Sequence, residues 1–472
     1  VIVDLFAGGG GASTGIEWAL GRSPDVAINH NPKALAMHVA NHPLTQHLCG
    51  DVWHYAPRDV TQGQPVELLH ASPTCTHFSK AKGGALRDAK IRSLAWVVVR
   101  WAKEARPRII TLENVEEFAG WGRLDAEGKP VPSRKGETFR RWVRALEKLG
   151  YRVEWKELRA CDFGAPTTRK RLFLVARCDG ERITWPTPTH GPGRAHPYRS
   201  AAECIDWSLP CPSIFGREKP LAEATLRRIA RGVRKFVLDA ASPFLIPVSH
   251  SGDARVYSVD DPLRTVTSSS RSPFALISPS LIHQSNGERP GQAPRIYDIT
   301  EPLRTVVAGG VKQAVVAAFL EKAFGGERQS AGLDVRSPLG TVTTVDHHRL
   351  VEVTLGDRRE EVRAFLTKFY GTSTGQDLQL PLGTVTSGGW KHGLVMVQGE
   401  PYAIADIGMR MLTPRELFRA QGFPDSYAID PACDGKRLSK TDQISMCGNS
   451  VAPHVEAAIL RANFREALAE CA

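Results

Sequence analysis

No Cys-x-x-Cys pair occurs in this sequence, although it carries nine cysteines. An odd and widely scattered set of that kind excludes a disulfide framework and a structural zinc site, and leaves reduced thiols as the simpler reading. There is also no apolar run approaching the roughly 18 residues of a membrane span, and no signal peptide ahead of the first strand-like segment. Together these absences imply a soluble cytosolic protein without membrane partners or a bound metal. The initiator methionine is missing and Val1 opens directly on apolar sequence, so a trimmed chain is expected. A clean G-x-G-x-x-G spacing is absent too, which argues against nicotinamide dinucleotide chemistry.

What is present is ordinary globular sequence: 472 residues, 42% of them hydrophobic, enough for two or three domains with sizeable cores. The net charge of +11 and a pI near 9.3 favour a polyanionic partner. Basic residues cluster at Arg134, Lys135, Arg140, Arg141 and Arg144, and again at Arg227, Arg228, Arg231, Arg234 and Lys235. Either cluster is a nucleic-acid surface or merely a solvated helix face.

The chain begins as strand, glycine loop and helix. Val1 to Leu5 is apolar, Phe6-Ala7-Gly8-Gly9-Gly10-Gly11 follows, and Ala12 to Leu20 has helical composition. That is the first unit of a doubly wound sheet, where glycines let the backbone approach a nucleotide-like ligand at a helix N-terminus. Phe6 offers a ring to stack on an adenine. A second strand, Asp25 to Ile28, leads to Asn29-His30-Asn31-Pro32, with Pro32 opening a helix over Lys33 to Asn41. Asn29 stands where a ribose-binding side chain is expected. In Gly50-Asp51-Val52, Asp51 is either an acceptor for an adenine amino group or a turn aspartate.

Val66, Leu68 and Leu69 read as a buried strand running into His70-Ala71-Ser72-Pro73-Thr74-Cys75. Cys75 is either a nucleophile, with Lys80, Lys82 and Arg87 near enough to favour a thiolate, or one more buried small hydrophobe. Leu94, Val97, Val98 and Trp101 at helical spacing predict a core-facing helix over Ile91 to Ala105, stopped at Pro107. The strand Arg108 to Leu112 then ends in Glu113-Asn114-Val115, a carboxylate at the edge where ligands sit in open α/β sheets. A helix over Phe139 to Leu149 and a strand over Tyr151 to Leu158 follow. Arg169 and Arg171, two apart at the entry to the strand Leu172 to Ala176, point to one side of an extended segment and could hold an anion or a carbonyl.

From about Asp179 to Gly408 the texture becomes rich in proline and glycine, with a repeat. Its cores are Asp261-Pro262-Leu263-Arg264-Thr265-Val266-Thr267, Glu301 to Val307, Ser337 to Thr343 and Leu380 to Thr386, at intervals of roughly 40 residues. Short apolar segments precede them (Phe244-Leu245-Ile246, Ser280-Leu281-Ile282, Phe319-Leu320, Phe365-Leu366). Four copies of one hairpin-like unit are expected, with Thr-Val-Thr strand interiors and variable turns. The tail returns to globular sequence. Thr413-Pro414-Arg415-Glu416 predicts a capped helix start, and Gln443 to Pro453 leads into a final amphipathic helix through Leu468.

In this order the pieces resemble the cytosine-C5 DNA methyltransferases. Asp4 to Gly11 looks like that family's S-adenosylmethionine loop, Cys75 with Phe78-Ser79 like its nucleophile loop, Glu113-Asn114-Val115 like its Glu-Asn-Val motif and Arg169-x-Arg171 like its arginine pair. Arg415-Glu416 through Gly422-Phe423-Pro424 and Gly448-Asn449-Ser450-Val451 match its last two motifs. The chain departs from the family pattern at Thr74 and Thr76 around the cysteine, at Asn29 in place of the ribose-binding acid, and at Thr167 in place of a glutamine.

The resemblance implies a doubly wound, Rossmann-like α/β methyltransferase domain over residues 1–178. It implies a mostly β, repeat-containing target-recognition region over 179–408, and a return to the catalytic domain over 409–472. Cys75 would attack C6 of an extruded cytosine, Glu113 as a protonated carboxyl would meet N3, and Arg169 and Arg171 would hold the base carbonyl and a phosphate. S-adenosylmethionine would lie against Phe6, Ala7, Gly8, Gly9, Gly10, Asn29, Asp51, Val52, Pro73, Asn449 and Ser450. Lys80 to Arg87 would form a lid. The implied partner is double-stranded DNA, acted on by a monomer of bacterial or phage origin near the nucleoid, with a cognate restriction endonuclease where the enzyme belongs to a restriction-modification pair. An RNA cytosine methyltransferase and a catalytically inactive DNA-binding relative are the competing expectations.

Overall fold

The computed structural model describes residues 1–74, 93–200, 202–204, 206, 208–209, 212–221 and 412–464. Between 276 and 411 it describes the backbone of seven strands only. Cys75, the Lys80 to Arg87 segment, the four repeat cores and the basic cluster at 227–235 lie outside the described residues.

The strands β1 (Ile2–Leu5), β2 (Val26–Asn29), β3 (Gln46–Cys49), β4 (Leu68–Ala71), β5 (Ile109–Asn114), β6 (Arg152–Arg159) and β7 (Lys170–Arg177) form one sheet in the order β3-β2-β1-β4-β5-β7-β6. Neighbours from β3 to β5 pair in parallel, whereas β7 runs antiparallel between β5 and β6. The order reverses between β1 and β4, the switch point outside which open α/β sheets bind ligands. Beyond β5 the antiparallel β7 departs from the all-parallel dinucleotide arrangement. Because β7 is reversed, its first residues emerge beside the last residues of β5.

Side chains alternate between two faces along each strand. Val3 and Leu5, Leu69 and Ala71, Ile110 and Leu112, and Leu172, Leu174 and Ala176 belong to one core with Trp101 and Trp142. Those tryptophans come from helices α4 (Trp96–Glu104) and α5 (Glu137–Glu147), numbered after α1 (Gly11–Leu20), α2 (Pro32–Asn41) and α3 (Pro57–Thr61). Ile2, Leu68, Ile109, Phe173 and Val175 face the other way, onto α1 and α8 (Pro453–Asn463). Each such buried Leu, Ile or Phe contributes roughly 1.5–3 kcal/mol. The opposite cores make the sheet doubly wound, as its apolar runs imply.

Two further helices, α6 (Pro414–Gln421) and α7 (Lys440–Asn449), precede α8. Thr413 caps α6 reciprocally with Glu416, as its sequence implies. The last helix ends at Asn463 rather than running through Leu468: Phe464 is already non-helical, and the residues after it lie outside the described set. The edge strand β3 was not legible in its sequence. Its residues are half or fully exposed, so Gln46-His47-Leu48-Cys49 carries no buried stripe.

The described backbone between 276 and 411 contains a five-stranded sheet in the order β14-β11-β10-β8-β9. Its members are β8 (Leu276–His283), β9 (Ile296–Tyr297), β10 (Gln313–Lys322), β11 (His348–Thr354) and β14 (Asp406–Met411), and all its pairings are antiparallel. A separate hairpin joins β12 (Leu394–Val397) to β13 (Glu400–Ala403). Two of the apolar segments that precede repeat cores, Ser280-Leu281-Ile282 and Phe319-Leu320, fall inside β8 and β10. Among the described residues no helix is long and apolar enough to cross a membrane.

Candidate active site

The carboxyl edge of the sheet presents the anticipated residues in a row. Asp51 follows β3, Asn29 ends β2, Phe6 to Gly8 follow β1, Ser72 and Pro73 follow β4, and Glu113 and Asn114 end β5. Arg171 and Arg169 complete the row at the start of β7. Neighbouring strands lie about 4.8 Å apart, so the row spans roughly 24 Å from β3 to β7, enough for a nucleoside-sized cofactor and a second ring beside it.

At the β5 end, Glu113 is 6% exposed. Its Oε1 lies 3.3 Å from Nε of Arg171 and 3.8 Å from Nη2 of Arg169. Arg169 is buried and also donates from Nη1 to the carbonyl of Gly448 at 3.0 Å, which ties the end of α7 to the base of the site. Arg171 donates from Nη1 to the carbonyl of Lys170 at 2.7 Å. Lys170, between them, turns away to Glu116 at 3.1 Å and to Glu157. A carboxylate and a guanidinium pair therefore meet in one buried corner, as their positions imply.

Asn114 has a distinct task. Its Nδ2 donates to the carbonyl of Pro73 at 2.8 Å, while its Oδ1 accepts from the N–H of Val115 at 2.9 Å. The side chain beside the acid thus fixes the loop that leads, two residues later, to Cys75. Spacing alone singles out Glu113 in this motif and gives no hint of this second bond.

At the β1 end, most of the glycine loop faces protein. A Cβ on Gly9 would sit 3.0 Å from Met37 Sδ and 3.1 Å from Met446 Cβ; one on Gly10 would strike the Tyr427 hydroxyl; one on Gly11 would strike Ser450 Oγ and the Val451 carbonyl. Tyr427 donates to the Gly9 carbonyl at 2.5 Å. Gly8 differs: its φ is +55°, and among the described residues an added Cβ would meet only the Phe6 carbonyl, at ordinary contact distance. Phe6, half-buried at the strand end, has φ +62°, a sparsely populated conformation for an aromatic residue of the sort that persists where surrounding structure imposes it. Among the described residues nothing crowds Gly8 beside that ring, at the switch point, a setting that fits an adenosyl cofactor. Ala7 and Val52 are buried.

The other residues expected at the cofactor have local partners or stand exposed. Asn29 Oδ1 accepts from the N–H of Asn31, and Asp51 Oδ1 accepts from the N–H of Trp53, the bond of a turn aspartate. Ser450 is buried against Gly11 with its Oγ on the Val451 carbonyl, and Asn449 is exposed at the end of α7. Among the described residues no His, Cys, Asp and Glu group could hold a metal ion.

Beneath this edge runs a polar row that the sequence did not disclose. Asp4, His70 and Thr111 are in register across β1, β4 and β5, all on the α1–α8 face, and Glu456 of α8 meets them. Thr111 donates to Glu456 Oε1 at 2.7 Å, and His70 Nδ1 lies 3.1 Å from the same oxygen. Burial alone would push the His70 imidazole down, but the Glu456 carboxylate, backed by Asp4 and Glu113, raises it to about 9. Burial pushes the Asp4 carboxyl up to about 6, while His70 and the Ser13 hydroxyl bond work against that rise. His70 and Glu456 are 386 residues apart, beyond the reach of any local pattern.

The family described as C-5 cytosine-specific DNA methylase matches the chain over residues 1–200 and 342–465. The type II methyltransferase M.AquIA of Picosynechococcus is 29% identical over 196 residues, 40% of this chain and 77% of that protein. M.AgeI of Thalassovita gelatinovora is 31% identical over 199 residues, 41% of this chain and 43% of that protein, so the match spans less than half the length of that relative. Among solved structures, the S. pombe Dnmt2 methyltransferase superimposes with a TM-score of 0.46 at 13% identity, covering 100% of this chain and 98% of that one.

Proposed function

Because the chain belongs to the C-5 cytosine-specific DNA methylase family, we propose that it transfers a methyl group from S-adenosylmethionine to C5 of a cytosine flipped out of duplex DNA, by way of a covalent bond between Cys75 and C6. The observation that carries this reading is the buried corner of Glu113, Arg169 and Arg171, joined through Asn114 to the loop that leads to Cys75.

Cytosine C5 is a weak nucleophile, and addition of a thiolate at C6 makes it an enamine carbon. Glu113 stabilises that addition by hydrogen bonding at N3. Arg171, the less buried of the two arginines, is the arm toward the base carbonyl; Arg169, committed to Gly448 and Glu113, positions it. S-adenosylmethionine supplies an electrophilic methyl group when bound over Gly8 and Phe6. Loss of the C5 proton and expulsion of Cys75 then restore the aromatic ring. Extruding the base costs a few kcal/mol, offset by contacts to the flipped ring and to phosphates. Residues 179–408 are the proposed target-recognition region, and its described strands are consistent with the β-rich character expected there.

Methyl-labelled cofactor incubated with duplex DNA and, separately, with RNA tests the reading. Incorporation into DNA at C5 of cytosine is expected, and it should vanish in Cys75→Ser. Label appearing in RNA alone, or in neither, overturns it.

A further inference from the structure

We infer that the hairpin Gly122–Gly136, with the first turn of α5, is a contact surface for the phosphate backbone of duplex DNA flanking the Glu113 corner. The inference rests on DNA being the substrate and adds where the chain grips it.

The hairpin begins seven residues after Val115, and the short helical turn Glu116–Gly120 leads into it. Its root is anchored. Trp121 is 4% exposed, packed with Phe118, and its carbonyl accepts from the N–H of Phe139, while the Gly120 carbonyl accepts from the N–H of Gly136. Gly122 allows the two arms to close, because a Cβ there would strike the Arg134 carbonyl. Farther out, Val131 donates to the Arg123 carbonyl at 3.1 Å, and Leu124 bridges Pro130. The tip turn is held by Asp125, whose Oδ1 accepts from the N–H of Lys129 at 2.7 Å. This is a built projection with a buried aromatic base.

Its outer surface is cationic. Arg123, Lys129, Arg134, Lys135, Arg140 and Arg141 are all exposed. Of the neighbouring acids, Asp125 holds the tip turn, Glu127 stands beside it, and Glu137 lies between Arg123 at 3.6 Å and Arg134 at 3.7 Å, so it gathers two guanidinium groups on one side. Direction decides the partner. β6 runs parallel to β5, so α5 leaves the carboxyl edge of the sheet, where Glu113 sits, and ends at the opposite edge. The hairpin and the start of α5 therefore flank the corner to which a flipped base must come, and a duplex delivering that base would carry its phosphates past them. The positive surface is placed at the edge of the sheet that carries the acid.

The test is the salt dependence of duplex binding by the full chain. The fourfold variant Arg123→Gln, Arg134→Gln, Lys135→Gln, Arg140→Gln is compared with Lys103→Gln, Lys148→Gln, which removes exposed charge near the far ends of α4 and α5. Melting curves confirm that both fold. Each lost phosphate contact lowers the slope of log Kd against log salt by roughly 0.9, so the fourfold variant is expected to lower it by about three to four and the control by none. An unchanged slope, an equal fall in the control, or a fall seen only with RNA overturns the inference. Methyl transfer by the parent chain is read separately, so a failure of the catalytic reading stays distinct from a failure of this surface.

Discussion

The two halves of the sheet edge are made by opposite means. On the side of β1 the edge is shaped by missing side chains: Gly9, Gly10 and Gly11 let Met446, Tyr427, Ser450 and Val451 close onto the loop. On the side of β5 and β7 it is shaped by charge, with Glu113 held between two guanidinium groups. The same C-terminal segment finishes both, by contact in the first half and through the Gly448 carbonyl in the second. Damage to the glycine side should therefore appear first as lost packing, and damage to the charged side as lost chemistry.

The sharpest break of that contrast is Glu113→Gln. It keeps the shape of the corner and an acceptor oxygen but removes the acid, so the methylation rate is expected to fall by roughly 10²–10⁴, with a melting midpoint lowered less than that of Glu456→Ala. A variant that lost folding and activity together would erase the distinction between the halves.

Next comes the polar row that underlies both. Glu456→Ala leaves His70 and Thr111 without their shared acceptor and should cost about 3–5 kcal/mol in denaturant unfolding. The pH dependence has a definite sign. His70 is raised in the folded chain, so the stability it contributes is complete below its unfolded value near 6.5 and is lost as pH rises through about 9. Asp4, raised to about 6, adds a decline of the same sign as pH climbs from about 4 to 6. Melting midpoints should therefore drop between pH 7 and 10, and a flat profile would show that the His70–Glu456 pair holds no charge.

The smallest expected effect separates two glycines of one loop. Gly11→Ala forces Ser450 or the Val451 backbone to shift and should cost roughly 1–3 kcal/mol. Gly8→Ala meets nothing closer than ordinary contact with the Phe6 carbonyl among the described residues and should cost about 1–2 kcal/mol, from its left-handed backbone alone, while weakening cofactor binding in titration calorimetry. Cofactor affinity that fell more for Gly11→Ala than for Gly8→Ala would reverse the assignment of which glycine faces the ligand.

Much of this was legible from local pattern. The glycine loop, the acid at the end of a buried strand, the paired arginines and the Thr413–Glu416 cap each depend on residues a few positions apart, and each stands where its spacing implies. What stayed hidden depends on distance along the chain. Glycine signals close approach without saying of what, so Gly8, Gly9 and Gly10 alike read as cofactor contacts, while Tyr427, Met446, Ser450 and Val451, which crowd Gly9 to Gly11, come more than 400 positions later. His70 and Glu456 each look unremarkable alone. The exposed edge strand β3 and the hairpin at 122–136 lack the buried periodicity by which elements are recognised.

The most direct measurement concerns the sulfur at position 75. Duplex DNA carrying 5-fluorocytosine at the methylated position, incubated with the chain and S-adenosylmethionine, cannot lose its C5 substituent as a proton. The expected result is a denaturant-stable protein–DNA adduct whose peptide map ends on Cys75, absent in Cys75→Ser. Methylation of the unfluorinated duplex without any such adduct on the fluorinated one would contradict the proposed covalent route.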